Sequence, residues 1–355
     1  MDLCADQLLA HLPEAVAATD VAPPFRRAFG LLPFARRAGF NADRLLNRHL
    51  LLPRAVRRAA RRADFVHVVD HSYAHLLHSA PQGRAGVYCH DLDAFRCLLE
   101  PAKEPRSRWF RWLARRALNG LKRAAVVFHS TAAVGERLRS LGLINPGRLV
   151  HAPYGVAPEF APDGPDAELP LAPEPPYLLH VGSNIARKRL DVLLALFAEY
   201  RRAGGRLRLV QVGGPWPPEL AAHIARLGVA PLVTQVRDLT RSQLATLYRR
   251  AAAGLVTSEA VGFGLPVIEA LACGTPVVAS GLPTLREAGG GAAEYCPVGD
   301  VPAWLRGVRG ALLDRDRGKR LAQAARFSWR AHARIIAEAY LGLPSGGRKP
   351  PVSRQ

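Results

Sequence analysis

Short apolar runs punctuate the chain, each closing on small or polar residues and giving way to an amphipathic stretch. Residues 65–69 alternate as FVHVV, and 85–89, 125–128 and 149–153 repeat the pattern. After a break it resumes at 177–181, 207–212, 233–236, 254–257 and 276–279. Period-two or continuous apolar character over so few residues predicts strands, the continuous ones buried on both faces. Between them, 190–201 and 241–252 carry apolar residues at helical spacing, as do 2–12 near the start and 328–341 near the end. Repeated strand, turn and helix predict an α/β protein with doubly wound parallel sheets, whose ligands gather beyond the strand carboxyl ends. Between the two series, 157–176 reads APEFAPDGPDAELPLAPEPP, a linker by its proline and acid content.

The most informative stretch is 257–280, TSEAVGFGLPVIEALACGTPVVAS, a glycine loop, a helix and a strand in immediate succession. Gly262 and Gly264 permit close backbone approach, and Pro266 suits a first helical turn. Backbone N–H groups and the helix dipole there favour an anion such as a phosphate. Glu269 follows one turn later, facing whatever the loop holds, so a nucleotide site is predicted.

This string resembles the donor-site signature of family 4 glycosyltransferases of the GT-B fold, in which two glutamates flank GFGLP. The resemblance implies two Rossmann-like doubly wound domains facing a cleft, with a C-terminal helix crossing back to the N-terminal domain. It implies that Gly262, Phe263, Gly264 and Leu265 hold the donor diphosphate and that Glu269 holds the nucleotide ribose. The other glutamate, which contacts the transferred sugar, would stand at 261, where this chain has Val261; Glu259, two residues earlier, is the candidate substitute. In VGSNIARKRLDVLL the resemblance gives Arg187 and Lys188 the diphosphate, with Ser183 where many members have an arginine. Fixed cations beside a leaving diphosphate act most on the transition state. Cys89-His90-Asp91-Leu92 resembles the segment whose histidine lies beside the donor sugar, so His90 is the candidate catalytic residue, orienting that sugar without acting as nucleophile.

HAPYGVAPEF at 151–160 resembles the segment that ends the first domain, and RFSWRAHARIIAEAYLGL resembles the closing helix. The domains expected are therefore 1–160 for the acceptor, a linker at 161–176, 177–327 for the nucleotide-sugar donor, a cross-over helix at 328–343 and a disordered tail at 344–355. Family members open with a strand and glycine-rich loop ahead of the first helix seen here, which points to a start upstream of Met1, or else to loss of that strand. The implied function is retaining transfer of a sugar from a nucleotide diphosphate sugar to a glycan or lipid-linked acceptor. A non-catalytic nucleotide-sugar or partner-binding protein, and a phosphorylase or synthase of the same fold, are the alternatives.

Composition narrows the setting. The 355 residues suit two domains, and no apolar run approaches the ~20 residues that cross a bilayer. Five scattered cysteines without C-x-x-C spacing argue against a disulfide framework or zinc site and fit a reducing cytoplasm. Asp91-Leu92-Asp93 has the spacing of a metal-binding D-x-D, but basic residues and helix N-termini meet leaving-group charge in this organisation, so no metal or other cofactor is expected. The net charge of +20 calls for an anionic partner or surface. Eleven arginines face one acid, Asp43, between 26 and 62, and RSRWFRWLARRALNGLKR at 106–123 sets Trp109, Trp112, Leu113 and Leu121 among seven cations. The second run reads as a peripheral helix on an anionic membrane, or as a surface helix with snorkelling arginines around a core-facing aromatic pair. Nucleic-acid binding is the less favoured reading, since no nucleic-acid motif accompanies the charge.

Overall fold

The computed structural model describes residues 2–29, 36–170 and 174–343. The tail expected to be disordered lies outside the described residues, as do 171–173 of the linker. Two compact units divide the chain, one built from Met1–Ala152 and the chain from His332 onward, the other from Pro153–Ala331.

Four parallel strands form the sheet of the first unit: β1 (Val66–Val68), β2 (Ala85–Cys89), β3 (Val126–His129) and β4 (Leu149–His151), side by side in that order. The inner strands β2 and β3 are buried at every position, while β1 and β4 are only partly covered. This difference explains why the sequence shows AGVYC and VVFH as near-continuous apolar runs. Val87, Phe95, Leu121, Val127 and Leu138 are fully buried around them. The Arg108–Arg123 helix packs so closely on the His71–Ser79 segment that a Cβ on Gly120 would collide with the Ala74 carbonyl oxygen. The Trp329–Leu341 helix begins in the second unit and ends in the first, where Tyr340 hydrogen-bonds His67 Nδ1 at 2.8 Å.

Asp43, the single acid of the first arginine run, is fully buried and accepts the Ala28 and Phe29 N–H groups at 2.8 and 2.9 Å. Six of the eleven arginines sit on the Arg36–Leu46 and Leu52–Ala59 helices, and Arg48 on the π-helical turn at Asn47–Leu51 that joins them.

The second unit holds six parallel strands: β5 (Tyr177–Val181), β6 (Arg208–Val212), β7 (Val233–Val236), β8 (Ala251–Val256), β9 (Val277–Ser280) and β10 (Glu294–Cys296). Their order is β10-β9-β8-β5-β6-β7, so the winding reverses between β5 and β8. Such a switch point opens a crevice at the strand carboxyl ends, the usual ligand position in open α/β sheets. Leu178, Leu196, Phe197, Leu209, Val278 and Trp304 form the core beneath. β10 was not expected: its three residues, EYC, lie on an edge and carry too short a pattern to register.

The described residues of the proline-rich segment form no helix or strand, but they are pinned. Asp166 pairs with Arg249 and Arg250 at 3.1 and 2.8 Å, and the Ala167 N–H donates to Thr246 Oγ1 at 2.8 Å. Two of the acids that gave the segment its linker composition, Glu159 and Asp166, face arginines of the Arg241–Arg250 helix, and Asp163 pairs with Arg317.

Candidate functional site

Two loops leave the switch-point strands, 182–188 after β5 and 257–264 after β8. They are laced together. Arg187 Nη1 donates to the Ala260 carbonyl at 3.0 Å, the Glu259 N–H to the Arg187 carbonyl at 2.9 Å, and Thr257 Oγ1 to the Lys188 carbonyl at 2.9 Å. The structure thus brings Arg187, Lys188, Glu259 and the glycine loop into one patch.

Gly264 begins the Leu265–Ala272 helix with φ +108°, a left-handed conformation that glycine adopts without strain. A Cβ there would also lie 2.7 Å from Leu285 Cδ2. The Phe263 ring is buried, edge-to-face with Tyr154 at 5.1 Å and Phe327 at 5.5 Å. Its side chain fixes the loop from below and leaves the main chain to meet a ligand. Leu265 is half-buried.

Glu269 is buried and accepts the Tyr248 hydroxyl at 3.2 Å. Burial raises its carboxyl to about 7, against the opposing pull of the Tyr248 hydrogen bond and Arg241. The Tyr248 hydroxyl is itself pushed well up by burial and by the nearby Glu269 charge. Lys188 is held below the ordinary lysine range by burial and by Arg187. Beneath it His180 is buried and held neutral, down to about 3, by burial and by Lys188. A cation strained in this way gains most from an incoming anion.

Three buried polar atoms in these segments have no hydrogen-bond partner: His180 Nδ1, Asn184 Oδ1 and Ser258 Oγ. Buried polar atoms are normally paired, and leaving one unpaired costs about 1–3 kcal/mol. Asn184 is otherwise fully engaged, donating through Nδ2 to the Gly214 and Pro215 carbonyls at 2.7 and 2.8 Å. The loop after β6 is tied to the same patch by Gln211, which donates to the Gly182 carbonyl at 3.0 Å and accepts from Trp216 Nε1 at 3.1 Å.

Sequence reasoning passed over Arg189. It adopts φ +50°, unusual for a residue with a side chain, and its guanidinium bridges Asp191 at 2.8 Å and Glu259 at 3.2 Å. The candidate substitute carboxylate is therefore already engaged by a cation. The RKR run could have suggested a third functional arginine, but not its left-handed backbone.

His90 lies at the carboxyl end of β2 in the first unit. Its imidazole is lowered to about 4 by burial and by His71, despite Asp70 and Asp91 nearby. The His90 backbone N–H donates to His71 Nδ1 at 3.3 Å, and His71 Nε2 faces Asp91 Oδ1 at 3.5 Å. No motif in the sequence marks His71. Its place at the carboxyl end of β1, the criterion that singled out His90, could have found it. Asp91 Oδ1 also accepts the Asp93 N–H at 3.0 Å, so the D-x-D closes on itself. Among the described residues, no three His, Cys, Asp or Glu side chains are grouped to hold a metal.

Two parallel-sheet units and a switch-point site with glycine loop and cations define a GT-B architecture. Residues 166–327 match the family model described as glycosyl transferases group 1. The chain is 36% identical over 202 residues to D-inositol 3-phosphate glycosyltransferase of Segniliparus rotundus, covering 52% of this chain and 44% of that protein. It thus spans less than half the length of that curated relative. Sucrose-phosphate synthase of Thermosynechococcus elongatus superposes with a TM-score of 0.66 at 20% identity, over 82% of this chain and 78% of that one. HepE of Anabaena, solved with UDP and glucose, gives a TM-score of 0.66 at 16% identity, over 84% and 83%.

Proposed function

We propose that the protein is a retaining, hexosyltransferase-type glycosyltransferase that moves a sugar from a nucleotide diphosphate sugar to an anionic, glycan or lipid-linked acceptor in the cytoplasm. The observation that carries this reading is the convergence of two unpaired buried polar atoms, Asn184 Oδ1 and Ser258 Oγ, and a desolvated lysine on the two loops of one switch point, with the buried carboxylate of Glu269 on the helix that follows. Buried groups left unsatisfied suit a ligand site, and a nucleotide diphosphate carries both acceptor oxygens and hydroxyl donors. Cations and loop N–H groups meet its phosphates, and a carboxylate meets its ribose hydroxyls.

In this reading Arg187, Lys188 and the 262–265 loop hold the diphosphate and stabilise its charge as the glycosidic bond breaks. Glu269 accepts from the ribose. The acceptor hydroxyl attacks from the face that the diphosphate leaves, so configuration is retained without an enzyme nucleophile. His90, kept neutral, orients the donor sugar by hydrogen bonding. No metal enters the scheme. The likeness to HepE, solved with UDP and glucose, supports the donor class, and the relatives named for an inositol phosphate substrate support an anionic acceptor.

Calorimetric titration with nucleoside diphosphates, followed by transfer assays over a panel of nucleotide sugars, tests the reading. Binding should weaken at least tenfold in Glu269→Ala, with transfer lost in parallel. Unchanged affinity in that variant refutes the donor site, and affinity without turnover for any donor makes the protein a binding module.

A further inference from the structure

The Arg108–Arg123 helix turns a small apolar stripe inward, Ala114, Ala117, Leu118, Gly120 and Leu121, all buried. Its tryptophans are not part of that stripe. Trp109 is 59% exposed, Phe110 45% and Trp112 49%. The reading with a core-facing aromatic pair therefore fails. The two indoles instead stack on each other outside the fold, centroids 5.0 Å apart and 16° from parallel. Arg106 lies over Phe110 at 5.3 Å and Arg116 over Trp112 at 5.9 Å.

We propose that this face is a docking surface for an anionic lipid bilayer. Exposed large aromatics cost solubility and are normally scattered singly, whereas three occur here within four residues. Indole rings are at home in the headgroup region, half in hydrocarbon and half in water. Arg108, Arg111, Arg115, Arg116, Lys122 and Arg123 share the helix with no acid among them. The preceding turn is already neutralised, Glu104 pairing with Arg106 and Glu100 with Lys103 and Arg137.

The wider charge agrees. Residues 1–152 carry 24 lysines and arginines against 12 acids, residues 153–331 carry 21 against 16. The excess belongs to the unit that bears the helix. A duplex nucleic acid would reward the cations but has no use for a stacked indole pair. A bilayer rewards both, and the pair is rigidly presented because Ser107 caps the helix, accepting the Phe110 N–H at 3.3 Å.

The test uses the full chain without nucleotide, so its failure leaves the sugar-transfer reading standing. Vesicles of phosphatidylcholine alone and of phosphatidylcholine with phosphatidylglycerol are sedimented with the protein while tryptophan emission is followed. Binding should favour the anionic vesicles and shift emission to the blue. Trp109→Ala with Trp112→Ala should cut the partition about tenfold and abolish the shift. Arg108→Gln and Arg115→Gln should each cost roughly fivefold on anionic vesicles only. These side chains are on the surface, so circular dichroism should not change. No preference for anionic vesicles, a tryptophan variant that binds like the parent, or displacement by duplex DNA that both proteins bind equally would each overturn the proposal.

Discussion

Replacing Glu269 by glutamine separates what the buried carboxylate does for folding from what it does for a ligand. Glutamine keeps the volume and can still accept the Tyr248 hydroxyl, but it cannot ionise. In the folded chain the carboxyl is raised from 4.5 to about 7. Below pH 4.5 it is protonated whether the chain is folded or not, and its ionisation costs nothing. As pH rises towards 7 the unfolded chain ionises first, so the stability of the native protein falls through this window and levels off above it. At about 1.4 kcal/mol per pH unit, the interval amounts to roughly 3 kcal/mol at pH 8. Glu269→Gln should therefore match the parent near pH 4.5 and exceed it increasingly up to pH 8, by up to about that amount. Urea denaturation followed by emission of the buried Trp304 and Trp329, run at several pH values across the window, measures the difference. At pH 8 the same variant should bind nucleoside diphosphate at least tenfold more weakly, because a charged acceptor has become a neutral one. Two stability profiles that run parallel across the window would refute the argument, as would a variant that is less stable at pH 8.

Other sites give sharper or simpler readouts. Gly264→Ala places a Cβ at φ +108° and 2.7 Å from Leu285 Cδ2, so it should cost at least about 2 kcal/mol in chemical denaturation and disrupt nucleotide binding. Nucleotide affinity should rise as Glu269 ionises towards and above pH 7, then fall at a pH below the ordinary lysine range as Lys188 loses its proton. Glu269→Gln should remove the acid limb of that bell and Lys188→Met the alkaline limb, both read by calorimetry. Val261→Glu should leave nucleoside diphosphate affinity within about twofold while changing the ratio of kcat/KM between donor sugars severalfold; identical ratios would remove position 261 from the sugar site.

The strands were legible because burial on both faces leaves an unmistakable mark: VVFH, YLLHV and VVAS have no solvent side to encode. The glycine loop was legible because its backbone geometry admits few sequences. What stayed hidden depends on distance in sequence. Nothing in Pro-Asp-Ala-Glu shows that Asp166 will meet Arg249 and Arg250, and nothing near His180 or Ser258 shows that their polar atoms end unpaired. The aromatic run at 109–112 was ambiguous for another reason. Helical spacing fixes which residues share a face, but the inward face was set by Gly120 and its contact with Ala74, which lies on a different segment.

The charge of the chain divides along the same lines. Several arginines of the second unit are answered, by Asp166 at Arg249 and Arg250, by Asp163 at Arg317, by Asp314 at Arg320 and by Glu199 at Arg202. The Arg189 bridge to Glu259 belongs to this group but differs in consequence. The pair is exposed, its side chains 28% and 40% accessible, and an exposed pair is worth under about 1 kcal/mol. It orients the carboxylate at little energetic cost, so in the proposed donor site a sugar hydroxyl beside Glu259 would compete with it easily. Lys188 lies one residue away, desolvated and next to Arg187, where an anion gains far more. In the proposed donor site the two cations thus suit different parts of the ligand. There half-buried Lys188 would discriminate by charge, and Arg189, at φ +50°, would hold Glu259, the candidate substitute for the carboxylate that position 261 lacks.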